Sequence, residues 1–326
     1  MDWISLAEAV LGGRSVTRDE ALTIVRSPED DLLALLHAAF LIRRRSFGRE
    51  VHLHVIDNAK SGLCTEDCAF CSQSAVAKTA IPEYDLQSVE TIVEGARKAK
   101  TCGAVRYCIV TSGRGPATAE LDRICDAVAR IKAGTDIQVC TSLGLLTDAQ
   151  AARLAAAGVN RYNHNLETSQ ANYASLCSAH TWQDRVETIR RAKAAGLEVC
   201  CGGLIGTGET DEDRVDMALA IRDLGVDSIP VNFLDPRPGT PLEGRPRLSP
   251  SECLRVLAMF RFVCPDREIR VAGGREACLR SLQPLALWPA NSMFTEGYLT
   301  TPGQGWERDQ AMLADAAFRV GHWVSA

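Results

Sequence analysis

The chain has 326 residues, of which 46% are hydrophobic and 24% are charged, so it is long and apolar enough to fold around a sizeable core. Its formal net charge of −5 at pH 7 lacks the basic excess typical of proteins that bind nucleic acid or an anionic membrane surface. No segment has the pattern of a signal peptide or a membrane-spanning helix, which predicts a cytoplasmic protein.

Helical and strand-like segments alternate along the chain. Residues 1–45 have apolar positions at helical spacing and predict an N-terminal helical extension, which precedes a barrel domain over residues 46–326. The predicted strands are Val51–Asp57, Ala104–Thr111, Asp136–Thr141, Val159–Glu167, Leu197–Gly203, Ser228–Leu234, Arg267–Ala272 and, less regular in pattern, Leu285–Asn291. Amphipathic helices, several ending at glycine, separate these strands. The alternation predicts an α/β fold, a parallel (β/α)8 TIM-type barrel, with an open doubly wound sheet as the alternative.

Thirteen cysteines are many for such a chain. An odd number without a secretion signal argues against a disulfide framework. The cysteines are therefore expected to be either small buried residues or thiolate ligands.

Three of these cysteines form a compact motif directly after the first predicted strand. Cys64, Cys68 and Cys71 have the spacing C-x3-C-x2-C within SGLCTEDCAFCSQS. Three thiolates so close together can bind one face of a cubane cluster and leave the fourth iron open, whereas a structural zinc site needs a fourth protein ligand. The motif resembles that of the radical S-adenosylmethionine (AdoMet) superfamily. The resemblance implies a [4Fe–4S] cluster whose fourth iron binds AdoMet.

Further motifs narrow the resemblance to the biotin synthase family. In chain order they are YCIVTSG, QVCTSLG, RYNHNLETS, EVCCGGLIGTGET, IPVNFL, IRVAGGR and YLTTPG, and with the cysteine motif they extend from about His52 to Gly303. The resemblance implies a radical AdoMet-dependent sulfurtransferase that inserts sulfur into dethiobiotin at C6 and C9 to form biotin. It assigns no residue as an acid or base.

A second set of possible metal ligands lies on the predicted strands. The resemblance implies that Cys108, Cys140, Cys200 and Arg270 hold an auxiliary iron–sulfur cluster. The alternative is that the cysteines are small core residues and Arg270 pairs with a carboxylate. Cys177 is a possible extra ligand, in which case the cluster would be a four-iron type with extra sulfide instead of [2Fe–2S]. Cys177 could equally be a small buried residue.

Polar side chains on predicted strand four indicate a binding site inside the barrel. Asn163, Asn165 and Glu167 alternate, so their side chains are expected on one face of the strand. The resemblance implies contacts of Asn163 and Asn165 with the ureido ring of dethiobiotin, and of Asn165 and Glu167 with the AdoMet ribose. It adds further contacts: Asn232 with the ureido ring, Arg185 with the AdoMet carboxylate, Thr300 and Thr301 with the substrate carboxylate. Asn232 could instead satisfy local backbone, and Arg185 could be a solvated arginine on a helix. Thr300 and Thr301 could belong to an ordinary turn.

The resemblance also implies partners, and it leaves other functions open. It implies an external electron donor of the flavodoxin or ferredoxin type and a homodimer. Related radical enzymes that form lipoyl groups, mature hydrogenases or make methylornithine are alternatives, as is a non-catalytic metal-binding redox protein. The three asparagines favour a urea-bearing substrate over an acyl chain, because an amide both donates and accepts hydrogen bonds.

Overall fold

The computed structural model of the chain describes residues 1–321 and begins with three helices. They are α1 (Trp3–Leu11), α2 (Arg18–Val25) and α3 (Leu32–Phe47), with one 3-10 turn at Glu29–Asp31. The side chain of Asp2 accepts hydrogen bonds at the start of α1, and Thr17 forms a capping box at the start of α2. Helices α2 and α3 pack on a later helix, α9 (Pro250–Val263), which is buried along most of its length.

The rest of the described chain contains ten strands and nine further helices, connected by loops. The strands are β1 (Glu50–Lys60), β2 (Arg106–Thr111), β3 (Gln138–Ser142), β4 (Arg161–Asn163), β5 (Glu198–Cys200), β6 (Gly203–Ile205), β7 (Ser228–Phe233), β8 (Glu268–Val271), β9 (Ser292–Thr295) and β10 (Arg319–Val320). The helices are α4 (Val89–Thr101), α5 (Thr118–Gly134), α6 (Asp148–Ala156), α7 (Trp182–Ala194), α8 (Asp211–Asp223), α9 (Pro250–Val263), α10 (Arg275–Leu279), α11 (Gln283–Ala286) and α12 (Trp306–Asp315). Two short 3-10 turns lie at Tyr173–Ser175 and Arg280–Leu282.

The strands form a closed parallel barrel. Its order is β1-β2-β3-β4-β5-β7-β8-β9, and β9 pairs with β1 to close it. Strand β6 pairs with β7 beyond the end of β5, and β10 pairs with the start of β1. Closure confirms the predicted (β/α)8 barrel and excludes the open sheet. Every residue of β7 is buried, as expected for a parallel barrel strand that faces helices on one side and the barrel interior on the other.

Three predicted strands differ from the structure. The segment Leu285–Asn291 is wrong as a strand: its start belongs to α11, which has Pro284 in its first turn, and the barrel strand is Ser292–Thr295. Strand β4 ends at Asn163, earlier than predicted. The predicted fifth strand is divided into β5 and β6, because the ladder to β7 is interrupted opposite Pro230, which has no backbone N–H.

Long loops at the carboxyl ends of the strands meet above the barrel. The segment from Leu234 to Ser249 contains no helix or strand, and it contacts the loop after β1, where the Lys78 amide donates to the Gly239 carbonyl at 2.7 Å. Gly239 has φ of +83°, and a Cβ there would lie 2.4 Å from the Lys78 carbonyl oxygen. This contact holds two walls of the barrel mouth together. Within residues 1–321, no helix is both long and apolar enough to cross a membrane.

Candidate active site at the barrel mouth

A cavity of about 330 Å³ opens at the carboxyl ends of the barrel strands. It collects most of the site residues predicted from the sequence: Cys64, Cys68, Cys71, Asn163, Asn165, Glu167, Arg185, Asn232, Thr300 and Thr301. Apolar groups also line it, among them Ile56, Val110 and Phe294. In a (β/α)8 barrel this is the face at which active sites are built.

The cysteine loop is held by backbone hydrogen bonds to the loop after β4 and within itself. The Ala69 amide donates to the Leu176 carbonyl at 2.8 Å, and the Cys71 amide donates to the Cys68 carbonyl at 3.1 Å. The three thiols are free, and burial raises the pKa of Cys71 to about 11. Thiols with such a pKa become thiolates when a metal displaces the proton, so this donor set fits an iron–sulfur cluster at the edge of the cavity.

Cys177 lies beside the cysteine loop, although a role as an extra ligand of the auxiliary cluster would need it near Cys140 and Cys200. Its Sγ is 3.9 Å from Sγ of Cys68 and 3.1 Å from Oδ1 of Asp67. Because the Ala69–Leu176 hydrogen bond joins the two loops, the segment carrying Cys177 packs on the cysteine motif instead of crossing to the strand cysteines. The argument for a four-iron auxiliary cluster that used Cys177 as a ligand therefore loses its geometric basis.

Asn165, Glu167 and Arg185 form one wall of the cavity. Nη1 of Arg185 donates to the Asn165 carbonyl at 2.9 Å and lies 3.7 Å from Oε1 of Glu167, while its Nε donates to the Tyr173 hydroxyl at 2.6 Å. Burial raises the pKa of Glu167, and Arg185 opposes that rise. Arg185 is buried, so the alternative of a solvated helix arginine is wrong. Glu167 has φ of +68°, so the predicted extended strand does not reach it, although its side chain still lines the cavity.

Asn232, on β7, joins the start of β6 to the loop after β8. Its Nδ2 donates to the Gly203 carbonyl at 3.1 Å, and its Oδ1 accepts from the Gly273 amide at 2.9 Å. The local backbone contact anticipated as the alternative is therefore present. An amide has two donor hydrogens and two acceptor lone pairs, so one of each still remains for a ligand in the cavity.

A group of buried residues lies deeper in the barrel than the cavity. Cys108, Cys140, Cys200 and Arg270 are fully buried. Asn163 connects this group to the cavity, since Cys140 Sγ donates to its Oδ1 at 3.0 Å and its Nδ2 lies 3.9 Å from Cys108 Sγ. Nη1 of Arg270 lies 3.5 Å from Cys200 Sγ. The three thiols and the guanidinium thus face the same interior space, and this donor set fits a second, buried cluster.

Arg270 also forms an ion pair with a carboxylate, which was the alternative to its role as a cluster ligand. It pairs with Glu268, which in turn lies 3.1 Å from Nε2 of His54 and 2.9 Å from Nη1 of Arg161. Burial would raise the pKa of Glu268, but Arg161 and Arg270 hold it well below its usual range. The contact of Arg270 with Cys200 and its pairing with Glu268 use different guanidinium nitrogens, so the structure contains both.

Sequence reasoning missed two residues that line the cavity. Alternation predicts that His164 points away from the lumen, but β4 ends at Asn163 and His164 lies in the cavity wall. Its buried Nε2 has no hydrogen-bond partner among residues 1–321. Nη2 of Arg237 donates to Oγ1 of Thr301 at 2.8 Å. The position of Arg237 just after β7, at the carboxyl end of a barrel strand, is the signal that could have identified it.

Comparison with known families covers most of the chain. A family described as the Radical SAM superfamily matches residues 60–221, and one described as the Biotin and Thiamin Synthesis associated domain matches residues 230–319. The biotin synthase of Salinibacter ruber is 54% identical over 97% of this chain and 88% of that protein. The biotin synthase of Bacillus subtilis (strain 168) is 51% identical over 98% of this chain and 95% of that protein.

Solved structures share the fold at lower identity. Methylornithine synthase superposes with a TM-score of 0.85 and 22% identity, covering 97% of both chains. A maturase of the [FeFe]-hydrogenase superposes with a TM-score of 0.84 and 16% identity, covering 99% of this chain and 76% of that chain. These likenesses support the barrel architecture.

Proposed function

This chain belongs to the biotin synthase family of radical AdoMet enzymes, and on that premise we propose how its residues divide between cofactors and substrate. Its reaction is the radical AdoMet-dependent insertion of sulfur into dethiobiotin, which forms biotin. The lipoyl-forming, hydrogenase-maturation and non-catalytic alternatives are not favoured, because the relatives at about half identity and nearly full length are biotin synthases.

Two cysteine sets would hold the two clusters. Cys64, Cys68 and Cys71 would bind the [4Fe–4S] cluster that accompanies AdoMet. For the buried set of Cys108, Cys140, Cys200 and Arg270 we propose a [2Fe–2S] cluster, since three thiols and one guanidinium face that space and Cys177 does not. When bound, the loop cluster supplies the electron that cleaves AdoMet and the auxiliary cluster supplies the sulfur.

AdoMet would bind along the wall formed by Asn165, Glu167 and Arg185. The carboxylate of Glu167 suits the ribose hydroxyls as an acceptor, and the guanidinium of Arg185 suits the AdoMet carboxylate. Arg185 also fixes the backbone of Asn165 through its 2.9 Å hydrogen bond. The arrangement would therefore hold the ribose and the amino acid part of AdoMet close to the cysteine loop.

Dethiobiotin would lie between the two clusters. The side chains of Asn163 and Asn165, with the remaining hydrogen-bond donor and acceptor of Asn232, would bind the ureido ring. Asn163 also contacts two of the buried cysteines directly. Thr300 and Thr301 line the outer part of the cavity and would bind the substrate carboxylate, with Arg237 at hydrogen-bond distance from Thr301. This single placement of Asn163 carries the proposal, because one side chain touches both the cavity and the buried thiols.

The cavity would also shield the reacting substrate from water. Its walls include Ile56, Val110 and Phe294, and the loop contact between Lys78 and Gly239 closes part of the mouth. Excluding water and fixing the two target carbons near the reacting groups favour the desired reaction over side reactions. The family resemblance further supports a flavodoxin- or ferredoxin-type electron donor and a homodimer, which we include in the proposal.

Product analysis of cysteine variants tests the division into two clusters. Anaerobically reconstituted protein is incubated with AdoMet, reductant and dethiobiotin, and 5′-deoxyadenosine and biotin are measured. We expect Cys71→Ala to form neither product. We expect Cys140→Ala to form 5′-deoxyadenosine but no biotin, because its loop cysteines are intact.

A buried cysteine outside both sets provides the control. Cys253 lies in α9 and is as fully buried as Cys140, so Cys253→Ala should form both products. AdoMet cleavage at the parent rate by Cys71→Ala would contradict the loop assignment. Biotin formation by Cys140→Ala would contradict the auxiliary assignment.

A further inference from the structure

Cys68, Cys177 and His180 form a group of metal-ligating side chains that the proposed reaction does not use as a unit. One ligand atom of each lies within 4.8 Å of those of the others. The two Sγ atoms are 3.9 Å apart, and Sγ of Cys177 is 3.4 Å from Nδ1 and 4.0 Å from Nε2 of His180. Cys177 and His180 lie on the loop between β4 and α7, while Cys68 lies on the loop after β1.

These separations suit one tetrahedral metal ion. Zinc binds sulfur at about 2.3 Å and imidazole nitrogen at about 2.0 Å, so two ligand atoms on a tetrahedral zinc are roughly 3.5–3.8 Å apart. Only one ring nitrogen of His180 can bind the ion. The Sγ–Sγ distance is 3.9 Å and the distance from Sγ of Cys177 to Nε2 of His180 is 4.0 Å, so both are slightly longer than those edges. Thiolates on a cubane bind different irons and must lie further apart, so this group matches a mononuclear site and not a cluster.

Two carboxylates contact the group from outside, and one of them, Glu66, supports metal binding. Oε2 of Glu66 lies 2.5 Å from Nδ1 of His180 and 3.3 Å from Nη1 of Arg114. Oδ1 of Asp67 accepts from the Cys177 thiol at 3.1 Å and from the Ala179 amide at 3.0 Å, and the first of these hydrogen bonds is lost when the thiol gives up its proton to a metal. A carboxylate on one ring nitrogen directs the other nitrogen to a metal, which is the usual arrangement around zinc-binding histidines.

We propose that the cluster-free chain binds one zinc ion through Cys68, Cys177 and His180, with solvent as the fourth ligand. The two thiols release their protons to water, so two thiolates and one neutral imidazole balance the charge of the ion. The consequence for cluster assembly rests on the proposed function, in which Cys68 is also a ligand of the [4Fe–4S] cluster. Because Cys68 serves only one metal centre at a time, zinc in this site blocks assembly of that cluster.

Cobalt titration of the metal-free full chain tests the zinc site. Co²⁺ replaces zinc in tetrahedral thiolate sites and gives strong visible and near-ultraviolet absorption. We expect one tetrahedral Co²⁺ per chain, displaced by one equivalent of zinc. Cys177→Ala and His180→Ala should each bind Co²⁺ at least about tenfold more weakly, since losing a direct ligand costs more than losing a hydrogen-bonded neighbour of one.

Two further cysteine variants separate this site from the loop motif and from unrelated thiols. Cys64→Ala removes a cluster ligand but no zinc ligand, so its Co²⁺ affinity should equal that of the parent. Cys125→Ala removes a half-buried thiol on α5 and should also match the parent. Loss of Co²⁺ binding in Cys64→Ala together with unchanged binding in Cys177→Ala would overturn the proposal.

Iron uptake tests the consequence for cluster assembly. After loading with one zinc per chain, the parent should incorporate much less loop-cluster iron, whereas Cys177→Ala should assemble its clusters as in zinc-free buffer. Full cluster assembly by the parent with zinc still bound would overturn the competition. Failure of the zinc-free parent to assemble any cluster would contradict the proposed function instead, and the Co²⁺ titration would still decide on the zinc site.

Discussion

Arg237 is a cavity residue whose guanidinium suits a carboxylate such as that of dethiobiotin. It donates to Thr301 at 2.8 Å and lies 2.7 Å from Oδ2 of Asp235, whose Oδ1 lies 2.7 Å from Arg247. One aspartate is thus shared by two arginines, which leaves a positive charge uncompensated in this group. Only Arg237 of the two arginines lines the cavity. A substrate carboxylate next to Thr301 would be balanced by this charge.

We expect Arg237→Gln to raise the KM for dethiobiotin about tenfold with little change in kcat, because a hydrogen bond to a charged group contributes about 1.5 kcal/mol at a partly exposed site. Steady-state biotin formation at varied dethiobiotin measures the effect. Arg247→Gln loses the same aspartate partner without touching the cavity and should behave as the parent. An equal rise in KM for both substitutions would show that dethiobiotin binding depends on the net charge of the loop and not on contact with Arg237.

At the scale of the elements, the break between β5 and β6 shapes the cavity wall of Asn165, Glu167 and Arg185, where AdoMet is proposed to bind. Gly202 lies in this break: its amide donates to Oδ1 of Asn165 at 3.1 Å, and its carbonyl accepts from the amides of Leu166 and Glu167. A Cβ at Gly202 would lie 1.8 Å from the Pro230 carbonyl oxygen on β7. The strands approach so closely there that only glycine fits, and the irregular ladder positions Asn165 and Glu167, the two residues proposed to bind the ribose.

We expect Gly202→Ala to lower the free energy of unfolding by roughly 1–3 kcal/mol through overpacking and to weaken AdoMet binding as Asn165 and Glu167 shift. Urea denaturation of the cluster-free chain and AdoMet titration of the reconstituted protein measure the two effects. Gly134→Ala is the matched control, since nothing lies within 4 Å of its Cβ position at the end of α5. It should leave AdoMet binding unchanged and be neutral or slightly stabilising. Unchanged AdoMet affinity in Gly202→Ala would disprove the positioning role.

At the scale of the whole molecule, Glu268 connects opposite sides of the barrel. Its carboxylate on β8 contacts His54 on β1, Arg161 on β4 and its strand neighbour Arg270. All four side chains are buried. Such a group stabilises the barrel only while its charges balance, because an unpaired buried charge is costly. It also keeps Arg270 next to Cys200, so the same carboxylate supports the buried ligand set.

We expect Glu268→Gln to lower the free energy of unfolding of the cluster-free chain by about 3 kcal/mol near neutral pH, because Arg161 and Arg270 lose their shared anion. Denaturant titration measures this difference. The pKa of Glu268 is held below its usual value of 4.5 in the folded chain, so its contribution is present above that pH and is lost as the pH falls through the lowered pKa. The difference between parent and variant should therefore shrink in acid.

An exposed ion pair supplies the control for this substitution. Glu90 lies 2.9 Å from Arg130 on the helical surface, and both side chains are largely solvated. Glu90→Gln should change the free energy of unfolding by less than about 0.5 kcal/mol. A similar loss in both variants would mean that the buried network does not stabilise the barrel.

Local patterns in the sequence predicted the fold class, and the family resemblance that they carry predicted residues that line the cavity. The C-x3-C-x2-C loop, the helical spacing of apolar residues and the strand–helix alternation each depend on residues close together in the chain. Such features are encoded by side-chain period and by turn and cap residues, so the barrel and its cysteine loop could be predicted. The cavity collects all ten of the predicted residues that the resemblance assigned to the loop cluster, AdoMet and substrate.

Contacts between distant segments decided the rest. The strand that closes the barrel, Ser292–Thr295, has a weak pattern of its own and is fixed by its neighbours β8 and β1. Likewise, Cys177 lies beside Cys68 because one backbone hydrogen bond joins Ala69 to Leu176, and nothing local to either segment encodes that contact. Backbone pairing and packing across the barrel place these groups, since their free energy is gained only when all the strands are assembled.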